Sequence, residues 1–157
     1  MSQRGFFEIG IYRGKTECNV GTLWRSAYQL GAIGIFTIGK RYIHQSSDTC
    51  KAYRSIPMRE FDDWQQFYDQ RPYAAVLIGV EMGGTPLYRF SHPQQAVYLL
   101  GAEDNGLPPD ILAKCQCVVS LEALQAFSYN VAVAGSIVMY DRMQKRIQRA
   151  DCLDISA

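Results

Sequence analysis

Apolar and polar positions follow two different periods along this chain, and the switches between them mark out its elements. Phe6 to Tyr12 alternates and is rich in aromatic residues and isoleucine, which predicts a first strand. A polar, glycine-containing loop over Arg13–Cys18 follows, and Asn19 is placed to cap a helix over Gly21–Leu30, where Leu23, Ala27 and Leu30 share one face. Gly31 ends that helix, and the β-branched run Ile33–Ile38 predicts a second strand closed by Gly39-Lys40-Arg41. Tyr42–Met58 is polar and aperiodic, a loop with room for one helical turn. In Arg59–Gln70 the residues Phe61, Trp64, Phe67 and Tyr68 recur at three- and four-residue spacing, which predicts an amphipathic helix with an aromatic face. Ala74–Val80 is apolar throughout, as suits a strand covered on both faces of a parallel sheet. Glu81–Pro86 reads as a turn, followed by a hydrophilic stretch to Gln95. Val97–Leu107 then runs from a short strand through Gly101, Glu103 and Gly106, and Leu107-Pro108-Pro109-Asp110 opens a helix. A strand around Cys117–Leu121 and a long helix from about Tyr129 to Gln148 complete the chain. Strands alternating with helices, with no repeat and no linker, predict an α/β fold: one domain over 1–157 with a parallel sheet and flanking helices.

Composition narrows the class. At 157 residues, 48% hydrophobic and 20% charged, the chain suits one soluble globular domain. The longest apolar run, Val131–Tyr140, is too short for a bilayer, where about 20 residues are needed. Met1-Ser2-Gln3-Arg4-Gly5 lacks the apolar core of a signal peptide, so a cytoplasmic protein without membrane contact is expected. Five cysteines, with no C-x-x-C pair, suggest neither a disulfide framework nor a zinc site, and no metal is expected. Cys115 and Cys117 are expected on one face of a strand as a buried reduced pair, and His44 and His92 on surface loops. With a net charge of +1, any nucleic-acid contact must rest on a local patch. Arg142, Lys145, Arg146 and Arg149 near the end of the last helix offer an RNA contact or, the favoured alternative, cations that complement the helix dipole.

Three stretches carry candidate chemistry. Gly101-Ala102-Glu103-Asp104-Asn105-Gly106-Leu107 places a carboxylate at a strand end, where open α/β sheets bind ligands; Gly101 permits close approach to the backbone and Gly106 a positive φ. Asn19-Val20-Gly21-Thr22-Leu23-Trp24-Arg25 has the form N-x-G-x-x-x-R, and Ser128-Tyr129-Asn130-Val131-Ala132-Val133-Ala134 opens the last helix. Singly they read as a βα turn, a capped helix with a surface arginine, and a helix N-terminus with Ser128 as cap. Together, in this order and at these separations, they resemble the three motifs of the SpoU/TrmH branch of the SPOUT RNA methyltransferases, from Phe6 to about Met143.

That resemblance implies a parallel α/β domain whose C-terminal part, from about Ala74, is threaded into a deep trefoil knot, an exception to the rule against knots. It implies S-adenosylmethionine as cofactor, a homodimer, and methyl transfer to a ribose 2′-hydroxyl of tRNA or rRNA. The minimal single-domain form points to the wobble position of the tRNA anticodon loop. Carried over by position, the cofactor-binding residues are Ile78, Gly79, Val80, Gly101, Ala102, Glu103, Ser120, Leu121 and Ser128. Arg25 is the leading catalytic residue, with Asn19, Glu103, Ser128 and Asn130 around it. A guanidinium with pKa above 12 is a poor base, so Arg25 is assigned to clamping a phosphate and stabilising the developing alkoxide. Arg13, Lys15, Arg25, Lys40 and Arg41 are the candidate RNA contacts, converging on one rim in the dimer, with scattered solvated charge an equally good account of Lys40 and Arg41. The chain departs from many relatives at Ser120-Leu121-Glu122, where Ile-Pro-Met is usual, and at Tyr129 and Ala132; Glu122 is expected to add charge near the pocket. Two other functions fit the same fold, a non-catalytic RNA-binding protein and a nucleotide-binding α/β protein unrelated to RNA. The first would not need Asn19, Arg25, Glu103 and Asn130 together, and the second predicts a glycine-rich phosphate loop that Arg13–Gly21 does not supply.

Overall fold

A computed structural model of the chain describes residues 5–43, 51–125 and 128–155, with side chains to residue 150. The expectations for Met1–Arg4, His44, Cys50, the side chain of Cys152 and the first part of the polar loop fall outside the described residues. Ten elements follow in chain order: β1 (Phe7–Tyr12), α1 (Glu17–Gln29), β2 (Gly34–Ile38), β3 (Met58–Phe61), α2 (Trp64–Gln70), β4 (Val76–Pro86), β5 (Ala96–Leu100), α3 (Pro109–Leu112), β6 (Cys117–Ser120) and α4 (Val131–Ile155), with 3-10 turns at Ala52–Arg54 and Leu87–Arg89. The six strands form one sheet in the order β3-β2-β1-β5-β4-β6, every neighbouring pair parallel.

The period-two pattern explains how both faces are covered. In β1, Phe7, Ile9 and Ile11 enter the core beneath α1 and α4; in β5, Tyr98 and Leu100 enter the same layer while Val97 and Leu99 face the layer beneath α2 and α3. Nothing polar is needed where both faces are covered, which is why β5 and the first part of β4, Val76–Val80, read as unbroken apolar runs. Gly135 lets α4 press onto this layer: a Cβ there would stand 2.5 Å from a Leu23 methyl and 3.0 Å from one of Leu100.

Several elements differ from the expected ones. Residues 58–61 form a short edge strand, β3, paired with β2, where the pattern predicted loop and helix. The aromatic spacing belongs to two elements: Phe61 on β3 and Phe67 on α2 meet with ring centroids 5.5 Å apart, both against Phe36. Asp63 caps α2 by accepting from the Gln66 N–H at 2.9 Å, so the helix starts at Trp64. β4 continues past the expected turn, with its register against β6 shifting between Val80 and Thr85. Cys115 and Cys117 do not share a face; Cys117 packs against the α1/α4 layer and Cys115 against the α2/α3 layer, each a half-buried free thiol. Burial pushes the Cys115 thiol up to about 11, which keeps it protonated near neutrality. His92 is buried, with Nδ1 2.6 Å from the Tyr98 hydroxyl and Nε2 2.8 Å from Asp141, so it is no surface-loop histidine. Arg142 is buried too, its guanidinium donating to the carbonyls of Pro93 and Gln94, and neither RNA nor the helix dipole accounts for it. Among the described residues no helix is long and apolar enough to cross a membrane.

Candidate active site

The carboxyl ends of β4, β5 and β6 open onto a cavity of about 450 Å³, within the roughly 300–1,000 Å³ usual for small-molecule sites. β4 contributes Val80, Glu81 and Met82; the turn after β5 contributes Gly101–Gly106; the segment after β6 contributes Leu121, Ala123 and Gln125; Ser128, Tyr129, Val131 and Ala134 close it from the start of α4. Of the expected cofactor residues, Val80, Gly101, Ala102, Glu103, Leu121 and Ser128 line it. Ile78, Gly79 and Ser120 do not: Ile78 is fully buried under α1 and α4, Gly79 faces Leu112 and Cys115, and Ser120 donates to the Gly84 carbonyl at 3.1 Å. All three lie within strands, one or two residues before the positions that line the cavity. Glu81, Met82, Asn105, Gln125 and Tyr129 were missed; a carboxylate directly after an apolar strand, as Glu81 is after Val76–Val80, was the signal that pointed to the first of them.

The turn after β5 is a tight loop. Gly106 N–H donates to the Ala102 carbonyl at 3.0 Å, and Gly106 sits at φ +61° as its position in the turn requires. Gly101 allows a close approach, but of the chain to itself: a Cβ would lie 2.2 Å from the carbonyl carbon of Gly106. Glu81 secures the far side, accepting from the Leu107 N–H at 2.8 Å.

The three motif stretches meet beside this loop. Glu103 accepts from the Asn19 side-chain amide at 2.6 Å, the Lys15 N–H at 3.0 Å and the Thr16 hydroxyl at 3.1 Å. Asn19 in turn accepts from the Asn130 amide at 3.0 Å, and Asn130 Oδ1 accepts from the N–H groups of Ala132 and Val133 at 3.0 and 3.3 Å. Asn130, not Ser128, therefore caps α4. Asn19 is not the cap of α1 either: the helix starts two residues ahead of it, after Thr16, and its side chain is drawn to Glu103. One chain of hydrogen bonds thus fixes the N-termini of two helices to the loop after β5, and the positive ends of both helices favour a carboxylate there.

Burial raises the Glu103 pKa, but hydrogen bonds from Lys15, Asn19, its own backbone and Thr16 outweigh it and bring the value from near 4.5 down to about 2. Such a carboxylate is a weak base, and here it holds Lys15, Thr16 and Asn19 to the loop after β5. Its folded value lies below its unfolded one, so its contribution to stability is complete above pH 4.5 and is lost as the pH falls towards 2. Glu103→Gln should flatten the fall in melting temperature across that window relative to wild type; parallel melting curves between pH 6 and 2 would remove the carboxylate from this role.

Arg25 is exposed on α1 and does not line the cavity of its own chain. The other cations are closer together. Arg13 N–H donates to the Ile38 carbonyl, a Cβ on Gly39 would touch the Arg13 side chain, Lys40 donates to the Lys15 carbonyl, and Lys15 pairs with Asp104. Arg41 pairs with Asp62 at 3.3 Å. Arg13, Lys15 and Lys40 are therefore gathered beside the cavity within a single chain, while Arg41, next to Lys40 in sequence, is turned to Asp62. Glu122 does not line the cavity, although Leu121 and Ala123 beside it do; its carboxylate accepts from the Tyr88 N–H at 3.2 Å, and its carbonyl accepts from the Tyr129 hydroxyl at 2.7 Å. Among the described residues no group of three His, Cys, Asp or Glu side chains is placed to hold a metal ion.

Residues 7–140 match the sequence model of the SpoU rRNA Methylase family. The chain belongs to that family. A curated SpoU relative, the 23S rRNA (uridine(2479)-2′-O)-methyltransferase of Streptomyces viridochromogenes, is 28% identical over an alignment 154 positions long that covers 90% of this chain and 54% of that protein. The chain thus spans about half the length of this relative. The SpoU methyltransferase AviRb from the same organism, solved in complex with the cofactor AdoMet, superposes with a TM-score of 0.83 at 24% identity, over 93% of this chain and 62% of that one. A structure solved to explain 2-OH methylation of C/U34 on tRNA superposes with a TM-score of 0.82 at 21% identity, over 92% of this chain and 99% of that one. At these identities the superpositions establish the fold of this SpoU family member, a parallel sheet with flanking helices.

Proposed function

We propose that this chain is an S-adenosylmethionine-dependent RNA ribose 2′-O-methyltransferase acting on the wobble nucleotide of tRNA. The observation that carries this is the hydrogen-bonded joining of all three motif stretches, through Glu103, Asn19 and Asn130, at the mouth of one cavity. The near-complete coverage of the structure concerned with C/U34 of tRNA supports the tRNA substrate. The name of the curated relative favours a second target, 23S rRNA.

The cavity suits S-adenosylmethionine in charge as well as size. Glu81, Glu103 and Asp104 are three carboxylates along its wall, and apolar Val80, Leu121, Val131 and Ala134 offer a surface for a flat heterocycle. The chemistry supplied there is an electrophilic methyl group on a positively charged sulfur. The chain has to hold a ribose 2′-hydroxyl in line with that methyl, stabilise oxygen as it loses its proton, and keep the RNA backbone still. The Arg13, Lys15 and Lys40 rim serves the last task by phosphate contact. We infer that the C-terminal segment is knotted in this fold, which would bring the ends of β4, β5 and β6 and the start of α4 around one cofactor.

We further infer a homodimer. Between α1 and α4 lies a shallow apolar groove lined by Thr22, Leu30, Val133, Ser136, Ile137 and Tyr140, with Val133 and Tyr140 45% and 54% exposed. Arg25 is one helical turn from Thr22, beside this groove and outside its own cavity, so a second copy packed on the groove would receive Arg25. The test is transfer of labelled methyl from S-adenosylmethionine to unmodified tRNA and rRNA, followed by mapping of 2′-O-methyl positions. Label at the anticodon wobble position supports the assignment; label only in rRNA moves the substrate; no label on either, with cofactor bound, overturns the catalytic reading.

A further inference from the structure

Away from the cavity, on the α2/α3 side of the sheet, aromatic rings and cations alternate along one surface line. Lys114 Nζ stands 5.7 Å from the centre of the Trp64 ring and 5.9 Å from that of Tyr68. The Arg71 guanidinium lies 3.7 Å over Tyr68 and 5.9 Å from Tyr73. The half-buried Trp64 and Tyr68 rings meet directly, with centroids 5.6 Å apart and Lys114 shared between them, and Arg71 links Tyr68 to Tyr73. Trp64, Tyr68 and Arg71 share one face of α2 and its C-cap at i, i+4 and i+7. Tyr73 is 93% exposed, an unusual placement for a ring this size with no apolar neighbour to hide it. Of the acidic residues nearby, Asp62 pairs with Arg41, Asp63 caps α2 and Asp69 accepts from Gln65 on another face of the helix, while Asp110 on α3 stands four residues before Lys114.

At its upper end the line stops beside the cationic rim. Beneath the surface Trp64 meets the buried Tyr12 ring edge-on at 6.4 Å, and the Arg13 guanidinium lies 5.2 Å from that ring's centre. Alternating π-faces and fixed cations suit a polymer with a base and a phosphate in every repeat: bases stack on rings without regard to sequence, while cations track the backbone. The geometry points to a track for single-stranded RNA along Trp64, Lys114, Tyr68, Arg71 and Tyr73, which carries a strand leaving the cationic rim across the α2 face. This rests on RNA being the substrate, and it adds a contact that none of the three motif stretches contains.

The test is fluorescence anisotropy of a short labelled oligouridine with wild type, Tyr73→Phe, and the double variant Tyr73→Ala with Lys114→Glu, both exposed positions. The double variant should bind about tenfold or more weakly, since one stacked base is worth about 5- to 150-fold, and Tyr73→Phe should bind as wild type. Unchanged affinity in the double variant overturns the track, as does a Tyr73→Phe protein that binds as weakly as the double variant. An equal loss on duplex RNA, whose bases are not free to stack, also overturns it. Methyl transfer is measured in parallel. Tyr73-dependent oligouridine binding without methyl transfer keeps the track and overturns the catalytic assignment; methyl transfer with unaltered oligouridine binding does the reverse.

Discussion

Arg25→Ala should lower methyl transfer to RNA by about 100- to 1,000-fold, the usual effect of removing one donor aimed at a developing oxyanion, while leaving S-adenosylmethionine binding unchanged. The separation of the two effects follows from position. Arg25 is exposed on α1 and none of its atoms lines the cavity of its own chain, so its loss takes nothing from the cofactor site. Lysine should restore little, because a point charge cannot grip a phosphate through two parallel N–H groups as a guanidinium does. Mixed dimers then settle whose cavity Arg25 serves. A subunit carrying Gly101→Val loses the cofactor site, since a side chain there meets the backbone of Gly106 and Leu107. Paired with an Arg25→Ala subunit, it supplies the arginine and its partner supplies the cofactor. Activity in the mixture, absent from either variant alone, supports a shared site; an inactive mixture confines Arg25 to its own chain.

The sheet was legible because β1, β4 and β5 are buried on both faces and carry no competing pattern. β3 was not, because an edge strand of four residues with one buried side chain gives too short a record of period two, and Phe61 falls by accident on the spacing of the α2 aromatics. The motif stretches were legible as a group through their resemblance to a family, but the roles within them were not. Asn19 looked like a helix cap and is a link between Glu103 and Asn130, two residues 84 and 111 positions away along the chain. No local period encodes such a bond. The same holds for the cavity lining: a cavity at strand ends is made by residues that follow the strand, and the apolar run that reveals a strand shifts attention to the buried positions before it.

Arg142→Ala should be the most destabilising single change in α4, costing about 3–5 kcal/mol as expected for removing one member of a buried charged network. Arg142 is 1% exposed. One guanidinium nitrogen donates to the Pro93 carbonyl at 2.6 Å and to the Tyr98 hydroxyl at 3.2 Å, the other to the Gln94 carbonyl at 2.8 Å, and its charged plane lies 5.0 Å from the Phe7 ring. Tyr98 connects this arginine to His92, and His92 to Asp141, so the segment that leads into β5 is fastened to α4 at one buried point. Alanine leaves two carbonyls and a hydroxyl without their donor in a place water does not reach. A loss of this size lowers the melting temperature by roughly 6–20 °C in a chain of this length. Lysine should fare almost as badly, since the two carbonyls are served by different nitrogens of one rigid fork. Because Val131 and Ala134 at the other end of α4 line the cavity and Arg142 does not, the folded variant should still bind cofactor at low temperature. Thermal melts of the two variants decide the matter: a lysine variant as stable as wild type would show that charge alone, and not the shape of the fork, holds α4 to the start of β5.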